Sequence, residues 1–366
     1  MSLANINSFP EFTKYLVAQR LFALKPLIVV DVGARGGFES HWAFYGDQVK
    51  LIGFEADAEE CKKLNRKTPN SRNYFFPVAL HQNRGKKTFY ITAYPSSSGF
   101  YPPDMRHIQR FPDEINLSVV KTLEMETVDF DSFAKENQID YVDFMKLDTE
   151  GSELDILKGA TRFLKETILG LSIEVEFSQW HKDQPVFSDV DSFLRSFGFQ
   201  LFNLTPYRHA RKVLPAFSSL LIPGPVEKGQ LVWGQALYLR DGVDEIKSLN
   251  LLEKGWDNIN ILKLASLMEL FSLSDCAIEL IQEAKRGGIL RGDVDCFIDR
   301  LVPNVNGKTV SYNEYLEKLQ IIKSKGCISN LELGRRLFTK FLPRPARQKI
   351  RILLIKLRDL IDKILK

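Results

Sequence analysis

A run of apolar residues that ends in an acid and then breaks into glycines constrains this chain more than any other feature. It reads Val29-Val30-Asp31-Val32-Gly33-Ala34-Arg35-Gly36-Gly37. The segment from Pro26 to Val32 is short, Val/Ile-rich and without alternation, the pattern of a strand buried on both faces. Gly33, Gly36 and Gly37 allow a sharp turn and let the backbone approach a ligand with no Cβ in the way. A second apolar run, Leu51-Ile52-Gly53-Phe54, ends in Glu55. A glycine turn after one strand and an acid after the next form a nucleoside pocket: the turn takes the charged moiety and the acid takes the ribose hydroxyls.

The glycine spacing narrows the ligand. Dinucleotide folds use G-x-G-x-x-G, where helix amides meet a pyrophosphate. Here the pattern is D-x-G-x-x-G-G, and an acid before the turn suits a ligand with a positive amine better than one with phosphates. S-adenosylmethionine has a cationic amino-acid end, a sulfonium and a free ribose diol, and fits. The competing readings are a nicotinamide cofactor and a turn that holds no ligand.

With 366 residues the chain can bury one sizeable core and add an accessory domain. No apolar stretch approaches the ~20 residues of a membrane span. The first twenty-five residues lack the basic-then-apolar order of a signal peptide. Cys61, Cys276, Cys296 and Cys327 have no CxxC or Cys/His metal spacing and read as reduced thiols of a cytoplasmic protein. Of the net charge of +4, residues 335–366 contribute +9 and the remainder −5, so the body of the protein is not a nucleic-acid binder.

Along the chain, residues 1–25 read as a helical cover with Phe12, Leu16 and Leu21 or Phe22 inward. Pro26 opens the first strand, Phe38–Tyr45 suits a crossover helix, Lys50–Phe54 is a second strand and Ala58–Lys67 a helix. Asn73–Val78 is a third apolar run leading into Ala79-Leu80-His81, where the third strand of such a fold borders the adenine. Lys86–Ala93 alternates as a strand. Residues 94–116 are rich in Pro, Ser and aromatics without periodicity, so they read as a lid, a binding loop or a mobile surface excursion, and they contain Ser97 and Ser98. Val119–Met125 is a strand and Thr127–Asn137 a helix. Tyr141 to Glu153 forms an apolar strand that carries Lys146 and ends in Asp148, Glu150 and Glu153 around Gly151. Ile168–Phe177 is a further core strand ending in Glu174 and Glu176. Ser188–Phe197 is a helix that Ser188 and Asp191 would cap. Phe199–Leu204 and Leu231–Leu239 pair as antiparallel edge strands around the 205–230 loop. Strands alternating with helices give a doubly wound, Rossmann-like α/β sheet, mostly parallel with an antiparallel end. Beyond it, 258–272, 275–286, 294–302, 312–324 and 344–366 read as helices.

With these stretches in hand, the chain resembles the FkbM family of S-adenosylmethionine-dependent methyltransferases. The matching residues are Val30 to Gly37, Gly53-Phe54-Glu55-Ala56-Asp57, Val78-Ala79-Leu80, and Phe144 to Glu153 with Leu157-Lys158-Gly159-Ala160. The most specific of these is K-x-D-x-E-G-x-E-x-x-x-L-K-G-A. The resemblance spans about residues 26–240. It makes 26–240 a class I methyltransferase domain and does not extend to 241–366; with the helical readings on either side, the chain divides into an N-terminal helical cover (1–25), that domain, and a helical accessory domain (241–366) ending in a basic amphipathic helix. The resemblance implies O-methylation of a hydroxyl on a sugar, glycan or secondary metabolite.

Methyl transfer from a sulfonium is an in-line displacement, so the enzyme positions the two reactants and excludes water. An alcohol acceptor also needs a base. Candidates for the cofactor are Asp31, Gly33, Ala34, Arg35, Gly36, Glu55, Ala56, Ala79, Leu80 and Asp148. Strand-end acids also cap helices, and Arg35 either reaches an anionic group or points to solvent. Asp148 orients the acceptor hydroxyl or acts as base, unless it caps the next helix. Lys146, on the same strand face, pairs with it, holds substrate or snorkels to solvent. Glu150, Glu153, Ser97 and Ser98 are candidates for the acceptor, although first-turn acids also favour a helix N-terminus. His181 is the candidate neutral-pH base, against a plain loop histidine. The acids lack ligand spacing, so no metal is expected.

The terminal segment 344–366 sets Ile350, Leu353, Leu354, Leu357, Leu360, Ile361 and Ile364 on one stripe with Lys and Arg opposite. Such a helix lies on an anionic membrane, joins two copies of the chain, or packs on the core. The rivals to a methyltransferase are a nicotinamide-dependent oxidoreductase and a non-catalytic scaffold of the same fold. The glycine spacing argues against the first, and the intact Asp31, Glu55 and Asp148 against the second.

Overall fold

The computed structural model describes residues 5–67, 72–217, 223–248, 256–305 and 307–324. Its strands are β1 (Leu27–Val32), β2 (Val49–Phe54), β3 (Asn73–Phe76), β4 (Ala79–Leu80), β5 (Gly85–Thr92), β6 (Val119–Val128), β7 (Phe144–Leu147), β8 (Gly170–Glu176), β9 (Phe199–His209) and β10 (Gln230–Arg240). β1 is buried at all six positions, as its unbroken apolar run requires, and the main sheet grows outward from it. The order is β3-β2-β1-β7-β8-β10-β9. β3, β2, β1, β7 and β8 run parallel, and β10 is antiparallel to both β8 and β9. This is the expected doubly wound sheet with its antiparallel end. The register sets Asp31 directly between Gly53 of β2 and Lys146 of β7.

One face of the sheet buries Ile28, Val30, Val32, Ile52, Phe54, Met145 and Leu171 against Phe130, Phe133, Phe163 and Leu194. On the other, Phe144 stacks on Phe271 with centroids 5.3 Å apart and meets Trp42 at 5.2 Å. Phe271 follows the helix Asn258–Leu270, which is buried from Ile261 to Leu270. The carboxylate of Glu269 at its end accepts from the Phe12 and Thr13 amides (2.9 and 2.7 Å) and from Thr13 Oγ1 (2.7 Å). These bonds satisfy amide groups at the start of the helix Glu11–Ala18, whose N-cap residue Pro10 has no side-chain acceptor. The chain divides into compact units at 301/302, so the helices from Asn258 to Leu301 belong to the same unit as the sheet. In the second unit the helix Tyr312–Ser324 is described; the terminal segment 344–366 lies outside the described residues.

Several expectations need correction. Among the described residues, the N-terminal cover is helical only over Glu11–Ala18. The crossover after β1 is a pair of 3-10 turns, Ser40–Gln48, kinked at Gly46, where φ is +56°. The helix at Phe187–Ser196 starts one residue earlier than expected, and Asp189 holds the Val186 amide at 2.9 Å, so neither Ser188 nor Asp191 caps it. β4, β5 and β6 form a separate three-stranded sheet, ordered β4-β6-β5. The segment expected to be a loop from 94 to 116 carries short helical turns at Pro95–Ser97, Met105–Ile108 and Glu114–Leu117. Among the described residues, no helix is long and apolar enough to cross a membrane.

Candidate active site

The carboxyl ends of β1, β2, β7 and β8 open into one cavity of about 740 Å³, within the range of small-molecule sites. At its centre Gly33 has φ +79°, and a Cβ there would stand 1.9 Å from the Asp148 carbonyl oxygen. The Gly33 and Ala34 amides both donate to Phe54 O at 3.0 Å, and the Asp148 amide to Val32 O at 3.1 Å. The glycine turn is thus threaded between the ends of β2 and β7, a crossing that any side chain at residue 33 would block.

Glu55 follows β2 directly and is 6% exposed. Its Oε1 accepts from the Asp57 amide at 2.9 Å, and burial raises its pKa above the ordinary carboxylate value. Arg35 Nη2 lies 3.0 Å from Asp57 and 3.9 Å from Glu55. Val32, Gly33, Arg35, Glu55, Ala56, Ala79 and Leu80 line this half of the cavity.

Lys146 Nζ stands 3.3 Å from Asp31 Oδ1 and 3.3 Å from Asp148 Oδ2. Burial raises the pKa of Asp31, and the ammonium only partly offsets it. For Asp148 burial acts in the same sense, yet the ammonium and a hydrogen bond shared with Glu174 outweigh it and hold the pKa at about 2. Among the acids at the ends of β1, β7 and β8, Asp148 is therefore the one held below its ordinary value.

The other half of the cavity is built by more distant segments. Phe89, Ile91, Leu123 and Met125 come from the three-stranded sheet; Ser97, Ser98 and Phe100 follow β5; Glu174, Glu176, Trp180 and His181 end or follow β8; and Trp233 is on β10. Burial raises the pKa values of Glu150, Glu174 and Glu176 well above the ordinary carboxylate range, and neighbouring carboxyls add to the effect. Glu150 reaches the cavity from a residue with φ +57°, a left-handed backbone that costs about 1 kcal/mol outside glycine. His181 is 2% exposed, and its backbone N–H and Nδ1 both lie near Gln184 Oε1, at 3.1 and 3.2 Å. Nδ1 accordingly carries the hydrogen and Nε2 the lone pair, and burial lowers the ring's pKa to about 4. His209 lies 3.1 Å from Asp113, not aligned as a hydrogen bond, and its Nε2 accepts from Trp233 Nε1 at 3.0 Å. Among the described residues, no three His, Cys, Asp or Glu side chains gather as metal ligands do.

Of the residues proposed from sequence, the cavity gathers Gly33, Arg35, Glu55, Ala56, Ala79, Leu80, Asp148, Glu150, Ser97, Ser98 and His181. It does not gather Asp31, Ala34, Gly36, Lys146 or Glu153. Asp31 and Lys146 lie beneath the turn as a pair, and Ala34 packs with Cys61, Leu64 and Phe75. Glu153 is turned into its own loop: it accepts from the Thr149 amide (2.6 Å), Thr149 Oγ1 (2.9 Å) and the Gly151 amide (3.0 Å). Trp180, Trp233, Asp113 and His209 were not singled out in the sequence. Trp180 could have been, as an aromatic beside His181 just past an acid-ended strand; the others carry no local signal.

Residues 31–201 match the profile of the methyltransferase FkbM domain. Among solved structures, the chain is similar to magnesium protoporphyrin IX methyltransferase from Synechocystis PCC 6803 with bound SAM, at 9% identity over 63% of this chain and 79% of that one, TM-score 0.30. It is similar to a 1,6-didemethyltoxoflavin-N1-methyltransferase from Burkholderia thailandensis, at 12% identity over 64% and 78%, TM-score 0.27. A third is an S-adenosylmethionine-dependent methyltransferase from Listeria monocytogenes, described as putative in its source, at 9% identity over 63% and 98%, TM-score 0.31. No curated protein matches the chain. The glycine turn, the Lys146–Asp148 strand end and most of the cavity wall lie inside the segment that matches the FkbM methyltransferase domain.

Proposed function

We propose that this chain transfers the methyl group of S-adenosylmethionine to a hydroxyl of a sugar or similarly hydroxylated small acceptor. The residues present fit the donor: a cradle at Gly33 that a Cβ would fill, a buried acid at Glu55, and a short apolar edge at Ala79 and Leu80. Glu55 would take the ribose hydroxyls, Ala79 and Leu80 the adenine, and the turn at Gly33 the amino-acid end. When bound, the donor supplies an electrophilic methyl carbon on sulfur, and the S–C electron pair leaves with sulfur.

The observation that carries the acceptor reading is that one cavity is lined both by Asp148, held ionised, and by His181, held neutral. Asp148 accepts a hydrogen bond from a neighbouring hydroxyl of the acceptor and so holds the reacting oxygen in place. As the new O–C bond forms, the reacting hydroxyl becomes acidic and its proton passes to His181 Nε2, which has no protein partner. Asp148 itself, with a pKa of about 2, orients far better than it accepts a proton. Trp180 and Trp233 supply the flat apolar surface on which a sugar ring rests.

The test is turnover with methyl-labelled donor over a panel of sugars and polyols, with products located by mass spectrometry. O-methylated product, reduced at least tenfold in kcat by His181→Ala with little change in donor affinity, supports the reading. Methyl found only on nitrogen or carbon would overturn it.

A further inference from the structure

We propose that the acceptor carries a protonated amine near the hydroxyl that is methylated, and that Glu174 and Glu176 hold it. This rests on the reading of the cavity as a methyl-transfer site and adds the acceptor's charge.

Cations are short on this wall. Asp148, Glu150, Glu174 and Glu176 share it, and Lys146, the ammonium beside them, is committed to Asp31 and Asp148. Three buried acceptor atoms, Glu174 Oε2, Glu176 Oε2 and His181 Nε2, lack a hydrogen-bond partner, against two unpartnered buried donors near them, Trp180 Nε1 and Gln184 Nε2, the second of which lies toward Glu176. Glu176 is 9% exposed and His181 2%. Buried polar atoms of this kind are normally satisfied, so the ligand is the natural source of the missing hydrogens. An ammonium offers three donors on one atom together with the charge that two buried carboxyls lack. A neutral polyol offers one hydrogen per hydroxyl and leaves any ionised carboxylate uncompensated. Phosphate or carboxylate groups on the acceptor would be repelled. The donor's sulfonium brings charge but no N–H, and its own ammonium is assigned to the turn at Gly33, so the donor leaves the orphan acceptors as they are.

The amine is the anchor and not the methylated atom, because an ammonium held by carboxylates has no lone pair. Trp180 and Trp233, lining the same cavity, add aromatic faces that favour a cation over a neutral group. In the ligand-free protein the crowded carboxyls keep protons instead, which agrees with the upward shifts of Glu174 and Glu176. Binding an ammonium would therefore displace protons into solution.

The experiment is calorimetry on the full chain saturated with S-adenosylhomocysteine, titrated with glucosamine, glucose and N-acetylglucosamine, and with ethanolamine against ethylene glycol. Each titration is run near neutral pH in two buffers of different ionisation heat. The amine of each set should bind at least tenfold more tightly and release protons, while the neutral partner releases none. Glu176→Gln should abolish the preference and the proton release, with S-adenosylhomocysteine affinity as the control for an intact fold. Equal binding within the sets, no amine binding, or a preference that survives Glu176→Gln would overturn the amine proposal and leave the methyltransferase reading standing. Failure of S-adenosylhomocysteine to bind would instead strike that reading, and this proposal with it.

Discussion

Lys146 and Asp31 face each other across neighbouring parallel strands, ammonium to carboxylate at 3.3 Å, and the same ammonium reaches Asp148 at 3.3 Å. One lysine thus joins the strand that makes the glycine turn to the strand that ends in the ionised acid. Its side chain is 12% exposed and that of Asp31 4%, so water does little to screen either charge.

Removing that ammonium leaves two carboxylates facing each other with no cation. Lys146→Met should destabilise the protein by about 3–5 kcal/mol, the usual cost of stranding a buried charge. The double change Lys146→Met, Asp31→Asn should recover part of the loss, because one stranded charge disappears with its partner. Urea unfolding of the three proteins checks this, and equal midpoints for wild type and Lys146→Met would rule it out.

Gly33 and Gly36 share a left-handed backbone but not a neighbourhood. A Cβ on Gly33 meets the Asp148 carbonyl at 1.9 Å, whereas one on Gly36 meets nothing within 4 Å. Gly36→Ala should cost only the local strain, about 1 kcal/mol, and keep donor binding within a fewfold. Gly33→Ala must push β7 away from β1, and S-adenosylhomocysteine affinity should fall more than a hundredfold by calorimetry. Similar losses for the two variants would mean that the crossing at Asp148 is not what makes residue 33 glycine.

The sheet was legible because its signals are local. An unbroken apolar run ending in Asp31, another ending in Glu55, and Lys146-Leu147-Asp148 mark three neighbouring strands with their carboxyl ends on one side. The donor half of the cavity follows from those ends. The acceptor half does not, since Met125, Trp180, His209 and Trp233 come from four separate stretches that only the tertiary fold brings together. Polarity alone also misassigned direction. Glu153 looks like a cavity acid in sequence, but its carboxylate is spent on the amides of its own loop. The small sheet was missed as a separate layer because β5 and β6 alternate just as a strand of the main sheet's edge would.

Far from the cavity, Lys263 is fully buried and its Nζ donates to Asp143 Oδ2 at 2.7 Å and to Pro26 O at 2.9 Å. Asp143 in turn accepts from the Ile28 amide at 2.8 Å, so this pair fastens the helix Asn258–Leu270 to the start of β1. Lys263→Met should lower stability by about 3–5 kcal/mol while leaving S-adenosylhomocysteine affinity of the folded protein unchanged. Loss of affinity without loss of stability would show that the pair serves the cavity and not the fold.

The pH dependence of stability should be dominated by buried acids with raised pKa values, and Glu153 is the one whose shift is best defined. Burial lifts its pKa from 4.5 to about 7, against the hydrogen bonds from Thr149 and Gly151, which favour the ionised form. For an acid shifted upward, the native state binds the extra proton. Its contribution is complete below the unfolded value of 4.5 and is lost as pH rises through about 7. The size of that contribution is of order 3 kcal/mol. Glu150, Glu174 and Glu176 are shifted in the same direction and steepen the decline. Urea unfolding between about pH 5 and pH 8 should therefore show stability falling as pH rises. Glu153→Gln cannot ionise, so its curve should be flatter over that interval whatever its absolute stability. It keeps an oxygen for Thr149 but turns an N–H donor toward the Gly151 amide, and that mismatch lowers the whole curve without tilting it. Parallel curves for the two proteins would show that Glu153 is ionised throughout and that its loop amides outweigh burial.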